Sequence, residues 1–187
     1  MLSYFDLRKG TRFTLEGQPY EVLEFQQMYK AQDMVVAKTK LQNLITGRVH
    51  EKNFHQGDTF EEAELEKIEI KFLYSHRGKF CFSEIQNSAK RFELEEEQIG
   101  ELVKFLKLNQ TLTGIKFQGK FINIVLPIKV HLKVTEAPPG IKGDRAQGGT
   151  KTVTLETDAN INVPLFVEQG DIIEVNTETG EYVRRVE

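Results

Sequence analysis

Short runs of strand-forming residues, separated by glycine-containing turns, recur along the whole 187-residue chain. The runs are rich in Val, Ile, Phe and Thr, which pack well in sheets. They are YEVLEF, MVVAKTKL, KIEIKFLY, KFCFSEI, GIKFQGKFINIVLP, KVHLKVTEA, KTVTLET, INVPLFV and DIIEVNTETGEYVRRV. Turn signals at Glu16-Gly17, Arg77-Gly78 and Gln118-Gly119 predict hairpins between neighbouring runs. The pattern therefore predicts an all-β protein.

Two breaks in the pattern of strand-forming residues divide the strands into three groups. The acidic segment DTFEEAELEK follows the first group, and Leu126-Pro127 ends the second. We therefore expect domains at residues 1–62, 63–127 and 128–187. Each has about sixty residues, a size at which a small β-barrel is the usual way to bury a core. One helix is expected after Leu94, because apolar residues at helical spacing begin at Ile99 and acids precede them.

The composition excludes several classes of protein. A formal net charge of -3 argues against a protein that coats nucleic acid through bulk positive charge. No apolar run approaches the roughly 18 residues of a membrane span, and the start of the chain lacks the features of a signal peptide. The lone Cys81, between two phenylalanines, predicts a buried thiol and a reducing compartment. We expect a cytoplasmic protein without membrane contact.

Motifs for catalysis and metal binding are missing from the sequence. GDRAQGGT, residues 143–150, resembles a phosphate-binding loop, but Gly149 occupies the lysine position and a strand pattern follows it. The 4 histidines lack metal-ligand spacing, and no G-x-S-x-G occurs. Because the acids are scattered over unrelated strands, we expect no catalytic residue, no metal and no cofactor. We interpret the chain as a binding protein and not an enzyme.

A long hairpin is predicted within FQQMYKAQDMVVAKTKL, residues 25–41. After its turn the residues alternate in period two, with Ala37 and Leu41 on one face and Lys38 and Lys40 on the other. The turn itself, residues 30–33, contains no Gly, Pro or Asn, so turn chemistry does not explain it. This region is locally basic. On charge alone, a solvated strand edge explains these lysines better than contact with RNA does.

The most specific motifs lie in the C-terminal third. They are the loop P-P-G-x-K-G-D, the strand V-P-L-F-V, Gly170 and the terminal G-E-Y-V-x-R-V. With DLRKGTRFTLEGQPYEVLEF and KLQNLITGRVHEKNF near the start, the whole chain resembles bacterial translation elongation factor P. This family includes the hypusine-bearing eukaryotic and archaeal initiation factor. Two positions depart from the family: Val153 replaces its usual Ala, and Asp158 its usual Gly.

The resemblance implies three small β-barrel domains, the first SH3-like and the next two OB-like, in an L-shaped arrangement similar in outline to tRNA. It implies binding to the ribosome beside the P-site peptidyl-tRNA, with contacts to ribosomal RNA, and we expect a monomer. In the family the factor relieves stalling at runs of proline, which is a constrained and slow substrate. The resemblance also implies that the tip of the first domain's hairpin holds the CCA end of the tRNA in a reactive geometry.

The hairpin tip departs from the family pattern. The family usually has Pro-Gly-Lys-Gly there, and its lysine is modified in many members. Ungapped alignment places Gln32 at that lysine, with Lys30, Ala31 and Asp33 around it. Because glutamine cannot receive a lysine-directed addition, the resemblance implies an unmodified tip in which Gln32 lies near the CCA end. Two alternatives stay open: a shifted register that presents Lys30, and a loop that contributes little.

Further RNA contacts are expected at basic residues and family-motif residues outside the tip. They are Lys38, Lys40, Arg48, Gly143, Asp144, Arg145, Lys151, Tyr182 and Arg185. Arg145 departs from the family's usual Thr. A general OB-type binder of single-stranded nucleic acid is the alternative function, and it requires exposed aromatic side chains for base stacking. Phe72, Phe80, Phe82 and Phe121 instead have strand patterns typical of a core. An enzyme acting on RNA is a third, weaker alternative.

Overall fold

The computed structural model of the chain describes residues 1–30, 34–139 and 149–186. Within these ranges the backbone forms three β-sheets and a short helical segment. This confirms the predicted all-β fold. No helix of the described residues is long and apolar enough to cross a membrane.

The first sheet has six strands. They are β1 (Leu2–Ser3), β2 (Arg12–Leu15), β3 (Gln18–Lys30), β4 (Met34–Asn43), β5 (Val49–His55) and β6 (Thr59–Glu62). Their order is β1-β6-β2-β3-β4-β5, and neighbours are antiparallel. Glu16 and Gly17 join β2 to β3 and both have positive φ, 53° and 78°. Such values are typical of a two-residue hairpin turn, which confirms the turn predicted at this Glu-Gly pair.

Three phenylalanine rings form the centre of the core of this sheet. Phe13 on β2 lies 5.9 Å from Phe54 on β5 and 4.9 Å from Phe60 on β6, measured between ring centroids. The rings of Phe54 and Phe60 are 4.7 Å apart, although β5 and β6 lie near opposite edges of the sheet. A flat sheet would keep these strands apart, so the sheet curls around the rings into a half-closed barrel. Val22 and Leu41 complete the core beneath β3 and β4.

The alternation predicted along β4 is confirmed. Ala37, Thr39 and Leu41 are 1%, 1% and 0% exposed and face the core. Lys38 and Lys40 lie between them along the strand and are half-buried on the opposite face. Because successive side chains of a strand point to opposite faces, this register carries both lysines to the outside of the sheet.

The middle sheet has five strands. They are β7 (Leu65–His76), β8 (Lys79–Glu84), β9 (Arg91–Glu95), β10 (Thr111–Phe117) and β11 (Lys120–Val125). Their order is β11-β10-β7-β8-β9. Positive φ at Arg77-Gly78 and at Gln118-Gly119 confirms two more of the predicted turns.

Most aromatic residues of the middle sheet are in its interior, as predicted. Phe72, Phe80 and Phe82 are buried, and so is the thiol of Cys81. The prediction is wrong for Phe121, which is only half-buried and lies beneath Lys116, whose Nζ is 4.4 Å from the ring centroid. A strand pattern gives the face of a residue but not how completely the next layer covers it.

The predicted helix is shorter than its apolar spacing indicates. Helix α1 (Glu96–Ile99) begins with a capping box between Glu95 and Gln98, as its acidic start suggests. It ends after one turn because Gly100, with φ 65° and ψ -142°, leaves the helical region. A 3₁₀ helix (Gly100–Phe105) then continues the segment. The prediction of one regular helix was therefore wrong at Gly100.

The third sheet also has five strands. They are β12 (Lys129–Glu136), β13 (Thr150–Leu155), β14 (Asn160–Pro164), β15 (Ile172–Asn176) and β16 (Tyr182–Val186). Their order is β14-β13-β12-β15-β16. The two outermost strands, β14 and β16, come into contact, so this sheet curves toward a closed barrel. Leu132, Val134, Leu155 and Ile173 are among the fully buried residues inside it.

The turn between β13 and β14 contains an aspartate in the left-handed region. Asp158 has a φ of 62°, and its backbone N–H donates to the carbonyl of Leu155 at 2.9 Å. The left-handed region disfavours most side chains, and glycine enters it without cost. Aspartate is one of the few other residues that tolerate it. Asp158 therefore makes this left-handed turn without a glycine.

The backbone divides into two compact units, which do not coincide with the three sheets. One unit contains residues 1–68, 94–100 and 113–124, and the other contains residues 69–93, 101–112 and 125–187. The domain boundaries expected after residues 62 and 127 therefore stay a prediction.

A buried carboxylate lies on the third sheet among three exposed side chains, those of Lys129, His131 and Arg184. Glu174 of β15 has a side chain only 5% exposed. Its Oε2 is 3.2 Å from Arg184 Nη2 on β16 and 3.2 Å from His131 Nε2 on β12, and its Oε1 is 3.2 Å from Lys129 Nζ. Hydrogen bonds from Arg184 and then His131 lower the pKa of Glu174 from 4.5 to about 2. The third sheet is therefore more stable with this carboxyl ionised.

We predict that Phe13→Ala lowers the free energy of unfolding by about 3–5 kcal/mol, because it leaves a cavity at the centre of the first sheet. Phe166→Ala is the matched control, since that ring is 57% exposed. It should cost less than about 1 kcal/mol. Urea unfolding followed by circular dichroism measures both. Equal losses would contradict the central role of Phe13.

We also predict an acid-sensitive contribution from Glu174. A carboxyl whose folded-state pKa is depressed stabilises the fold above its unfolded pKa, and that stability is lost as the pH falls. The loss should occur between about pH 4.5 and about pH 2. Glu174→Gln should be less stable than the parent near neutral pH, and the difference should shrink across this interval. Thermal unfolding midpoints against pH measure this. Glu178→Gln, at an exposed turn position, should keep the parent's acid dependence.

Candidate functional site

Strands β3 and β4 continue beyond β2 as a hairpin arm, which β5 accompanies along β4 as far as Val36. Strand β2 pairs with β3 only as far as Glu21, and β5 pairs with β4 only as far as Val36. Beyond Val36 the described backbones of β3 and β4 pair only with each other. The last pair is Lys30 opposite Met34. The base of this arm lies on the barrel core, so the sheet determines the direction of the two described strands.

The distal part of the arm exposes apolar side chains. Tyr29 is 76% exposed and Met28 is 41% exposed, whereas Val36 across from Met28 is buried. Sequence analysis did not single out Tyr29 or Met28. Their position beside the predicted tip was the available signal, because the barrel cannot cover residues that far along the hairpin.

The predicted tip residues are only partly within the described structure. Lys30 ends β3, and its side chain lies outside the description. Ala31, Gln32 and Asp33 lie outside the described residues. The predicted contacts at these positions therefore stay predictions.

Lys38 and Lys40 face the same side of the arm, and each is paired with a carboxylate. Lys38 Nζ is 2.9 Å from Glu51 Oε2 on β5, and Lys40 Nζ is 3.1 Å from Glu24 Oε1 on β3. The hydrogen bond from Lys38 lowers the pKa of Glu51. Solvent-exposed pairs of this kind contribute little to stability and break readily. Both lysines are therefore available to another anion.

An open groove of about 640 Å³ lies beside these lysines. Residues 23–26 of β3, residues 38–40 of β4 and Glu51 line it, and Arg8 and Lys9 close its other side. Sequence analysis missed Arg8 and Lys9. They are distant in sequence from the predicted arm, and only the fold of the first sheet brings them to it.

Arg48 lies apart from the tip. It follows β4 at the end opposite to the hairpin tip, within a turn fixed by Asn43. The side-chain oxygen of Asn43 accepts hydrogen bonds from the backbone N–H groups of Ile45 at 2.9 Å and Thr46 at 3.0 Å. The structure therefore brings Lys38 and Lys40 together and leaves Arg48 at a separate turn.

Lys151 makes an internal contact at the loop expected to bind RNA. Its Nζ donates to the carbonyl of Pro138 at 3.0 Å. Pro138 and Lys151 stand on either side of residues 140–148, so this bond joins the two chain segments that flank the loop. Gly143, Asp144 and Arg145 lie outside the described residues.

Tyr182 and Arg185 share one face of β16. Tyr182 lies opposite Val175 and Arg185 opposite Ile173, and the register shift between these pairs is a β-bulge. Residues three apart on a regular strand face opposite sides, and the extra residue of the bulge restores a common face. Arg185 Nη1 is 3.5 Å from Asp171 Oδ2, and its guanidinium is 5.7 Å from the ring centroid of Phe166.

The described residues contain no group of three or more His, Cys, Asp or Glu side chains that could hold a metal ion.

Comparison with known proteins gives consistent matches at both ends of the chain. The family model "Elongation factor P (EF-P) KOW-like domain" matches residues 3–60, and "Elongation factor P, C-terminal" matches residues 130–185. An elongation factor P from Desulforapulum autotrophicum is 41% identical over 181 residues, which is 97% of this chain and 96% of the relative. One from Carboxydothermus hydrogenoformans is 39% identical over 186 residues, with 100% of both chains covered.

A solved structure supports the fold independently. The eukaryotic translation initiation factor 5A from Methanococcus jannaschii superposes with a TM-score of 0.53 at 14% identity, over 66% of this chain and 92% of that chain. At such low identity the likeness concerns the fold alone. The full-length relatives and the two family matches carry the assignment: the chain belongs to the elongation factor P family of translation factors.

Proposed function

We propose that this protein binds the ribosome beside the P-site peptidyl-tRNA and promotes peptide-bond formation at proline runs. Membership in the elongation factor P family supports a role in translation and interaction with the ribosome. The observation that carries the proposal for the tRNA is the β3–β4 arm, whose ladder runs to the Lys30–Met34 pair. A hairpin whose base is paired into a sheet is suited to presenting its turn to a partner.

The protein acts by orientation and has no catalytic group of its own. The restricted ring of proline makes it a poor partner in peptide transfer. Holding the CCA end in a reactive geometry reduces the entropic cost of the reaction that the ribosome itself catalyses. The protein works as a monomer that also contacts ribosomal RNA, through Lys38, Lys40 and Arg48 near its start and Tyr182 and Arg185 near its end.

Gln32 is the tip residue and works unmodified. The pairing of Lys30 with Met34 supports this, because Gln32 is the middle one of the residues between them. Its neutral amide donates and accepts hydrogen bonds to ribose or phosphate, without the charge of a lysine. The shifted register that presents Lys30 is the competing arrangement.

We predict that Gln32→Ala lowers the relief of stalling on a Pro-Pro-Pro reporter by about two- to tenfold, the value of one hydrogen bond. Lys30→Ala should have the smaller effect. Intact mass and peptide mapping of protein from its native host should give the unmodified mass. An adduct on Lys30, or full activity of Gln32→Ala with loss in Lys30→Ala, would instead support the shifted register. Full activity of both variants would show that the loop contributes little.

The loop containing Gly143, Asp144 and Arg145, with Lys151 beside it, is proposed to contact the small subunit near the E-site codon. We predict that Arg145→Ala weakens ribosome binding by about three- to tenfold and makes it less salt-dependent, since one phosphate contact is lost. Lys151→Ala should have a similar effect and also removes the bond to Pro138. Lys104→Ala, at a lysine paired with Glu101, is the control and should bind normally. Unchanged affinity of both loop variants at low and high salt would refute this assignment.

A further inference from the structure

We propose that Asn43, at the end of β4 opposite the hairpin tip, is a positioning residue for that tip. It shapes a turn whose apolar side chains pack on the middle sheet, and this contact sets the direction in which β4 leaves that sheet. The proposal rests on the proposed function, because a correctly directed arm matters only if the tip acts beside the CCA end of the tRNA.

Asn43 is buried, and its polar groups hold the turn that follows it. It is only 5% exposed. Its Oδ1 accepts hydrogen bonds from the backbone N–H groups of Ile45 at 2.9 Å and Thr46 at 3.0 Å, and its Nδ2 donates to Gln18 Oε1 at 2.5 Å. Its carbonyl accepts from the N–H of Gly47 at 2.9 Å. Because all these polar groups are paired, Asn43 has one favoured orientation and fixes the conformation of the turn.

The turn brings two apolar side chains onto the middle sheet. Leu44 and Ile45 are half-buried, and both pack against one core cluster. The cluster consists of Ala63, Ile115, Phe117 and Ile122, the last three on β10 and β11. The backbone N–H of Leu44 also donates to the carbonyl of Pro19 on β3 at 2.9 Å. The turn is therefore bonded to the first sheet and packed on the middle sheet.

This packing adds to a covalent connection between the two sheets. The chain leaves the first sheet through Ala63, whose N–H donates to the carbonyl of Arg12 on β2 at 3.1 Å. A covalent connection alone would leave the first sheet free to turn about it. Leu44 and Ile45 supply a second, non-covalent contact, and residues 1–68 and 113–124 share one compact unit. The turn at Asn43 therefore restricts rotation of the first sheet.

The length of β4 amplifies any change at this turn. The strand runs from Met34 to Asn43, and with a rise of about 3.3 Å per residue its ends lie about 30 Å apart. A tilt of about 5° at the turn would displace the far end by about 2.5 Å over that length. A misplacement of about 1 Å can slow a reaction that depends on orientation by about a hundredfold. Because the tip precedes Met34 directly, the turn at Asn43 controls how well the tip is placed.

Asn43→Ala tests the proposal in the full chain, with relief of stalling on the Pro-Pro-Pro reporter measured against protein concentration. We expect the maximal relief to fall about three- to tenfold, while the half-saturating concentration stays within about twofold of the parent's, because the cations proposed to bind RNA are unchanged. Loss of folded protein alone would instead raise the half-saturating concentration and leave the maximum. Ile45→Ala removes the packing but keeps the turn, and it should also lower the maximum. It decides the matter if Asn43→Ala does not fold.

Two further variants separate the turn from a general effect of mutation. Asn43→Asp keeps two acceptor oxygens, and Gln18 can rotate its amide to donate, so most of the maximum should return. Asn176→Ala is the matched control, because Asn176 Oδ1 accepts from the N–H groups of Glu178 at 2.8 Å and Thr179 at 3.3 Å, the same spacing along the chain. This control should keep the parent's maximum.

The direction of the arm is measured in the free protein by pulsed electron paramagnetic resonance. Spin labels at Gln26→Cys on β3 and Lys120→Cys on β11, in a Cys81→Ser background, report the distance between the arm and the middle sheet. Both labelled positions are exposed. The two alanine variants of the turn should broaden or shift the distance distribution, whereas Asn43→Asp and the matched control should leave it unchanged.

The proposal is wrong if Asn43→Ala keeps the parent's maximum, or if its lower maximum occurs with an unchanged label distance. It is also wrong if Asn43→Asp has the parent's unfolding midpoint and yet the maximum of Asn43→Ala. Failure of the parent protein to relieve stalling would refute the proposed function. The label distances would then still decide whether the turn directs the arm.

Discussion

The contact among Phe13, Phe54 and Phe60 is the constraint on which the first sheet depends. These rings join strands that lie near opposite edges of the sheet, and only a curled sheet allows them to meet. The curl covers Val22 and Leu41 at the base of the arm while the outer parts of β3 and β4 remain beyond the barrel. That packing holds the core faces of β3 and β4 inward, and the alternation along β4 then places its lysines on the outside.

Local sequence signals predicted the strands and many of their connections. The dipeptides Glu16-Gly17 and Arg77-Gly78 form the expected turns with positive φ because glycine supplies the second left-handed residue. The alternation along β4 was also predicted from neighbouring residues alone, and Ala37, Thr39 and Leu41 are all in the core. In each case residues adjacent in sequence determine the geometry, and no distant contact competes with them.

The features that were not predicted depend on contacts between distant segments or on a single backbone angle. Arg8 meets Phe25 only after the turn before β2 attaches to β3. Gly100 ends a helix whose apolar spacing continues beyond it. Phe121 follows a strand pattern but lies at a half-covered position. At the candidate site, the sequence predicted that Lys38 and Lys40 share one face of β4. It did not predict their carboxylate partners, which lie on neighbouring strands.

The contact between β14 and β16 bears on how the third sheet behaves among other chains. A sheet with open sides presents unpaired N–H and carbonyl groups along its outer strands, and these groups can accept a strand from another molecule. In the third sheet the two outer strands have only five residues each and come together. Such short edges offer few backbone groups for pairing with another chain. The length of these edge strands thus disfavours edge-to-edge association, while the curvature encloses the core.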